Sequence, residues 1–455
     1  MSELIDQALK TATETKDIIF GDDVNKEAGP LFARLYPGQK VLVVADENTY
    51  DAVGDVVVES LRGAGVEFAD EPYIFPGTPT LYAGYDNVEK LREVLRTYEN
   101  TVALSIGGGT LNDIAKLASG ELGREYINVC TAASVDGFAS FGASISKDGF
   151  KITRNCPAPA GLVMDIETMM KAPHRLTATG YGDLIEKIPA GADWILSDEL
   201  GIEPIDEYVW SLVQGPLMDS LADPQAVHEC EHDAIAKLGE GQLMSGLAMQ
   251  AHQSSRPASG AGHQFSHVWE MEGHGLDWEP PLSHGNKVGV GTVASLAIWE
   301  EFLKLTEEDF DADRAVAAQK SADEVAANVR ATLIPTIAEE AVKHSVGKLL
   351  SEEELRERIG LLTQKWPTIK ERCAAQIIPA QQAWDMLKTV GAPYHPEMLK
   401  IDWDRFRETH HKAQMIRPRY TVLDILTDLG LFDDVVDKLF SEDGFWGRHL
   451  HPDAA

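Results

Sequence analysis

The hydrophobic and polar positions of the chain fall into two textures. From Lys40 the apolar runs are short and continuous, the pattern left by strands buried on both faces. KVLVVAD (Lys40–Asp46), TVALSI (Thr101–Ile106), INVCTAA (Ile127–Ala133) and GLVMDI (Gly161–Ile166) are such runs, and VEFADEPYIF (Val66–Phe75) predicts a further strand. Between them lie segments of helical spacing: the stretch ending near Gly63, NVEKLREVLRTY and TLNDIAKLAS. Strands alternating with helices predict βαβ units and a parallel sheet. GASISKDGFKIT differs, alternating around a Lys-Asp-Gly turn, and predicts a β-hairpin. Residues 1–38 read as a short amphipathic opening followed by a loop.

From Ala172 onward strand-like alternation nearly disappears. EEELRERIGLLTQKW and AQQAWDMLKTV carry helical spacing instead. The expected architecture is therefore an α/β domain with a parallel sheet over residues 1–170, followed by an all-helical domain over 171–455. The final residues, RHLHPDAA, read as a tail.

Composition narrows the function. The 455-residue chain carries 73 acidic against 40 basic residues, a formal charge of -33. Phosphate backbones and anionic membrane surfaces need Lys and Arg clusters, so the balance argues against nucleic acid and membrane partners. A local site can still oppose the global field and hold an anionic substrate. The four cysteines are scattered without a CxxC pair, as in a reduced cytosolic protein. No signal peptide and no run of 18 apolar residues is read, which makes the cytoplasm the expected compartment.

Three stretches carry candidate chemistry. The first is SIGGGTLNDIAK, where a buried strand ends at Ile106, three glycines follow and Thr110 opens a helix. Such a turn is either a plain tight turn or a phosphate cradle, because glycine lets a ligand approach the backbone at a helix N-terminus. The next strand end, CTAASVDGFAS, adds Thr131, Ser134 and Ser140, and ligands of open parallel sheets bind outside carboxyl ends. Asp46 and Asn48 close the first strand, where a carboxylate serves as a turn residue or accepts from a cofactor ribose. The second stretch is ATGYGDLIEKIPAGADW. Its Asp183 reads as a carboxylate at a helix start, either capping the helix, pairing with Lys187 or projecting into the crevice between domains.

The third stretch runs from Ser245 to Gly291 and holds five of the fourteen histidines: His252, His263, His267, His274 and His284. Imidazole is the commonest metal ligand, and mixed short and long spacing suits a metal site. The residues point to His263 and His284 around one divalent cation with an acidic third ligand. A HxxxH pair of His263 and His267 remains open, without the Glu of a zinc protease, since Gln264 stands there.

Taken together, GGGTLNDIAK, TAASVDGFAS, GFKIT, GYGDLIEK, SSRPASGAGHQFSH and SHGNKVGVGT resemble the sn-glycerol-1-phosphate dehydrogenase family. That family lies within the iron-containing alcohol dehydrogenase and glycerol dehydrogenase superfamily. RPRYTVLDILTDLGL near the end is similar to its bacterial branch. The resemblance implies a nucleotide-binding α/β domain and a helical metal- and substrate-binding domain, arranged as in dehydroquinate synthase-like folds. It implies one divalent ion (Zn, Ni or Fe) on Asp183, His263 and His284. It implies NAD or NADP along Asp46, Gly107, Gly108, Gly109, Thr110, Leu111, Thr131, Ala132, Ala133, Ser134 and Ser140. Asp136, Asp183 and His267 would meet the substrate, with His267 relaying a proton. The implied reaction is reversible reduction of dihydroxyacetone phosphate to sn-glycerol 1-phosphate by a homo-oligomer, dimeric or larger. Lys151, Arg154 and Arg256 are the candidate cations for the phosphate. Ala133, where the family has proline, and Gly262, where it often has an acid, depart from the pattern. Polyol oxidation as in glycerol dehydrogenase and a sugar-phosphate cyclase reaction stand as alternatives.

Overall fold

The structure is a computed structural model describing residues 3–147 and 150–451, with the side chains of residues 3 and 150–152 outside that description. Its centre is a seven-stranded parallel sheet in the order β1-β9-β6-β5-β2-β3, with β4 also pairing β2. The strands are β1 (Asp17–Gly21), β2 (Lys40–Asp46), β3 (Glu67–Phe68), β4 (Tyr73–Phe75), β5 (Thr101–Ile106), β6 (Tyr126–Cys130) and β9 (Gly161–Asp165). The expected single strand at Val66–Phe75 is two short ones, interrupted at Ala69–Pro72, where Pro72 cannot donate to a ladder. The opening residues hold β1 and a helix, Ala28–Leu35, rather than only a loop.

Alternation along each strand assigns the faces. Val41, Val43 and Ala45 pack with Val102 and Leu104 beneath the helices Ala28–Leu35 and Glu47–Gly63. Leu42, Val44 and Ala103 face Tyr85–Arg96 and Gly109–Gly120. Farther along the sheet Cys130, Leu162 and Met164 join the core of the helical region. A parallel sheet must be covered on both faces, and here the helical region supplies part of one cover.

The expected hairpin is β7 (Ala143–Lys147) paired antiparallel with β8 (Phe150–Arg154). Its turn residues Asp148 and Gly149, and the tail residues 452–455, lie outside the described residues. After Asp165 every element among the described residues is helical, and no helix is long and apolar enough to cross a membrane.

Candidate metal and nucleotide cleft

The carboxyl ends of β2, β5, β6 and β9 open on one cleft of about 1210 Å³ whose other wall is helical. Asp46, Gly108, Gly109, Thr110, Leu111, Thr131, Ser134, Asp136 and Ser140 line it on the sheet side. His263, His267 and His284 line the helical side. Gly107, Ala132 and Ala133 lie behind the lining, buried. Asp46 also caps its helix, its Oδ1 accepting from Thr49 N–H at 2.8 Å. Gly108 is the N-cap of Gly109–Gly120 without a side chain over the turn, so the first N–H groups of that helix point at the cleft.

Three helices converge on the far wall. His174–Leu184 carries Asp183 near its C-terminal end, which corrects the expectation of a helix start. Ala261–Met271 carries His263 and His267 on one face, and His284 opens His284–Phe302. The convergence depends on glycine. A Cβ at Gly285 would stand 1.9 Å from Thr179 O, and one at Gly291 would stand 2.3 Å from Gly262 O. Only hydrogen at these positions lets the three backbones come so close.

Asp183, His263 and His284 each offer a donor atom, all within 4.8 Å of one another. His263 Nε2 lies 3.4 Å and His284 Nε2 4.0 Å from Asp183 Oδ1. The opposite ring nitrogens are committed. His263 Nδ1–H donates to Glu186 at 2.7 Å, and His284 Nδ1–H donates to Glu270 at 2.9 Å. An ionised carboxylate only accepts, so each Nδ1 carries a hydrogen, and Nε2 is left as the atom of each ring that a metal ion would take. Two imidazoles and one carboxylate arranged this way fit a divalent transition ion with open positions.

His267 stays outside that donor set. Its Nδ1–H donates to the second oxygen of Glu270 at 3.2 Å, and its ring is stacked 5.9 Å from that of His284. Burial pushes His267 down to about 3 against the pull of Glu270, with Arg417 adding to the fall, so the ring is neutral. His263, also buried, is instead raised to about 9, because Glu186 and Asp183 outweigh the burial. His252 bonds Ser254 and His274 bonds the Leu399 carbonyl, so neither joins the centre.

A fully buried lysine joins the two walls. Lys187 Nζ lies 2.8 Å from Asp136 and 3.3 Å from Asp183, and it also donates to the Asp183 carbonyl at 2.9 Å. Burial works against its charge, but Asp136, Asp183 and Glu186 together raise its pKa. Asp183 is itself held well below the usual carboxylate range: burial opposes this, and Lys187 and the two histidines prevail. Asp136 N–H donates to Asp183 Oδ2 at 3.1 Å, and Ser245 donates to Asp136 at 2.8 Å. A second buried lysine, Lys116, donates to the carbonyls of Gly137, Ser140 and Gly142 and fixes the loop carrying Asp136.

Sequence reasoning did not find Glu186, Glu270 or Lys116. The available signal was spacing: Glu186 follows Asp183 by three and Glu270 follows His267 by three, one helical turn in each case. Of the proposed phosphate cations, Arg256 is packed away, donating to the carbonyls of Tyr420 and Asp193. Arg154 lies over the Tyr85 ring, outside the cleft lining, and the Lys151 side chain lies outside the described residues.

Residues 19–173 match the family described as iron-containing alcohol dehydrogenase. The NADH-dependent butanol dehydrogenase A of Thermotoga maritima superposes with a TM-score of 0.57 over 93% of this chain and 97% of its own, at 15% identity. Fold and donor set thus define the class: a two-domain dehydrogenase fold of the iron-containing alcohol dehydrogenase type. The glycerol-1-phosphate dehydrogenase (NAD(P)+) of Halalkalibacterium halodurans is 35% identical over 273 residues, 60% of this chain and 68% of that protein. Its counterpart in Bacillus velezensis is 34% identical over 305 residues, 66% of this chain and 76% of that protein. The chain belongs to the glycerol-1-phosphate dehydrogenase family.

Proposed function

We propose that the protein catalyses the reversible NAD(P)-linked reduction of dihydroxyacetone phosphate to sn-glycerol 1-phosphate. The observation that carries the reading is the inward-facing set of Asp183, His263 and His284 sharing one cleft with the glycine-rich strand ends. A divalent ion on those three side chains supplies Lewis acidity to the substrate oxygen, and the nicotinamide supplies or takes the hydride.

The chain's own residues do the rest. Glu186 and Glu270 hold the two ligand imidazoles in the tautomer that offers Nε2. Lys187 balances the buried charge of Asp183 and pairs with Asp136. Neutral His267 has its Nδ1–H engaged by Glu270, so its Nε2 accepts from the substrate hydroxyl and orients the reacting carbon. Asp46, Gly108, Gly109, Thr131, Ser134 and Ser140 take the nucleotide, with the pyrophosphate at the start of Gly109–Gly120. The Asp46 carboxylate, on the strand-end position that meets the ribose, favours NADH by repelling a 2′-phosphate. The enzyme acts on a small molecule, and a dimer or larger homo-oligomer is part of the reading.

The test is a substrate panel. Metal-loaded protein and a nicotinamide cofactor are assayed with dihydroxyacetone phosphate, dihydroxyacetone and glycerol while nicotinamide absorbance is followed. Turnover of the phosphorylated triose is expected; turnover of unphosphorylated glycerol alone contradicts the reading and favours a glycerol dehydrogenase.

A further inference from the structure

The segment before the helix Val422–Asp428 places two arginines in the cleft. Arg417 and Arg419 line it together with His263, His267, Ser255 and Ser259. Arg419 is held in place by neutral groups: one guanidinium nitrogen donates to the Ser259 carbonyl at 2.6 Å and another to Ser255 Oγ at 2.9 Å. Among the described residues, neither arginine has a carboxylate within ion-pair distance, although the chain holds 73 acidic residues. Burial pushes both guanidinium groups down, Arg419 to about 9, where Arg256 and Arg417 lie close to it. Arg417 stands near enough to His267 for its charge to act on that ring. Arg256 braces the segment from behind through the Tyr420 carbonyl. Lys171 and Arg175 also reach the cleft, but they are exposed, and water already serves them.

Both guanidinium groups are half-buried, and a partly desolvated cation with no carboxylate facing it is most economically explained by an anion that arrives. The guanidinium fork matches phosphate oxygens two at a time. We propose that Arg417 and Arg419 form the subsite for the substrate's phosphate, with Arg417 as its main contact. This rests on the reading that the substrate is a triose phosphate whose reacting oxygen meets the Asp183–His263–His284 centre. The subsite would also set specificity, because an unphosphorylated triose leaves the half-buried guanidinium groups unanswered.

Two measurements test it on the metal-loaded protein. In the first, kcat/KM for dihydroxyacetone phosphate relative to dihydroxyacetone is compared among wild type, Arg417→Lys and Arg417→Ala. The ratio is expected to fall about 10- to 100-fold in Arg417→Ala, mainly through KM, and less in Arg417→Lys. An unchanged ratio in both variants overturns the subsite. In the second, inorganic phosphate is titrated calorimetrically with NAD(H) already bound. Wild type is expected to bind it and Arg417→Ala to bind it at least about tenfold more weakly, with Arg417→Lys between them. Equal affinities, or no binding by wild type, overturn the subsite. If wild type fails to turn over the triose phosphate, the functional reading falls, and the phosphate titration still decides the subsite alone.

Discussion

Lys187 shows how much of the centre rests on one charge. It is the positive group between Asp136 and Asp183, and all three are buried. Replacing it with methionine leaves two buried carboxylates near each other with no cation between them, a change that costs about 3–5 kcal/mol in comparable buried pairs. A bound divalent ion on Asp183 would return part of the missing positive charge. Lys187→Met is therefore expected to lower the Tm of the metal-free protein sharply and to recover more than wild type when Zn²⁺ is added. Equal gains in Tm on adding metal would contradict this placement of charge. Residues of this kind were only half visible in the sequence. His263 and His284 announced themselves by clustering, whereas Glu186 and Glu270 look like surface acids one turn from a partner until burial shows that nothing else satisfies the imidazoles. Arg256 failed in the other direction. In the sequence it is a cation inside a histidine-rich motif; in the fold it is a brace for a segment 164 residues away.

Among elements, the glycine contacts carry the geometry. The His284 helix starts against the Asp183 helix because Gly285 brings its backbone to Thr179. Gly285→Ala must push these helices apart by most of an ångström or more, since backbone rather than a flexible side chain stands in the way. The expected cost is about 1–3 kcal/mol from overpacking, accompanied by lower metal content at limiting metal. Gly347, in a helix with open space around its Cβ position, is the control. Gly347→Ala should be neutral or slightly stabilising, by about 0.5–1 kcal/mol. Comparable Tm losses in the two variants would remove the argument for close approach. The sheet was the most legible part of the chain: β2 and β5 are continuous apolar runs closed by Asp46 and by three glycines. β1 escaped because five residues ending on the glycine of a Gly-Asp-Asp turn give little pattern, and its partner β9 lies some 140 residues away, where no local signal reaches. The helical region was recognisable as helical, but the packing of its helices into a metal centre depends on contacts that spacing alone does not encode.

For the molecule as a whole, charge and pH act together. Asp193 is fully buried and ties the start of the His263 helix to the start of Val422–Asp428, accepting from Ala261 N–H at 2.7 Å and Val422 N–H at 2.9 Å. Burial raises its pKa to about 7, more than these hydrogen bonds and Arg256 lower it. The folded state therefore holds this proton more tightly than the unfolded chain, whose aspartates titrate near 4. The resulting stabilisation is complete below about pH 4 and is lost as pH rises through about 7. Metal-free protein is expected to show a falling Tm between pH 5 and pH 8, and Asp193→Asn, which cannot ionise, a shallower fall. The formal charge of -33 adds self-repulsion of the same sign as acids ionise, and salt should reduce that part alone. A Tm that rises over this interval in wild type, or falls equally in Asp193→Asn, would be inconsistent with a proton held at Asp193.

In the proposed reaction one divalent ion, held by Asp183, His263 and His284, is required for turnover. The most direct test is to strip the protein with a chelator, return metal in known steps, and measure the rate of NAD(P)H oxidation with dihydroxyacetone phosphate. The rate is expected to rise linearly and break at one ion per chain, with no rise in His284→Ala. Full activity in the stripped protein, or the same titration in His284→Ala, would contradict it.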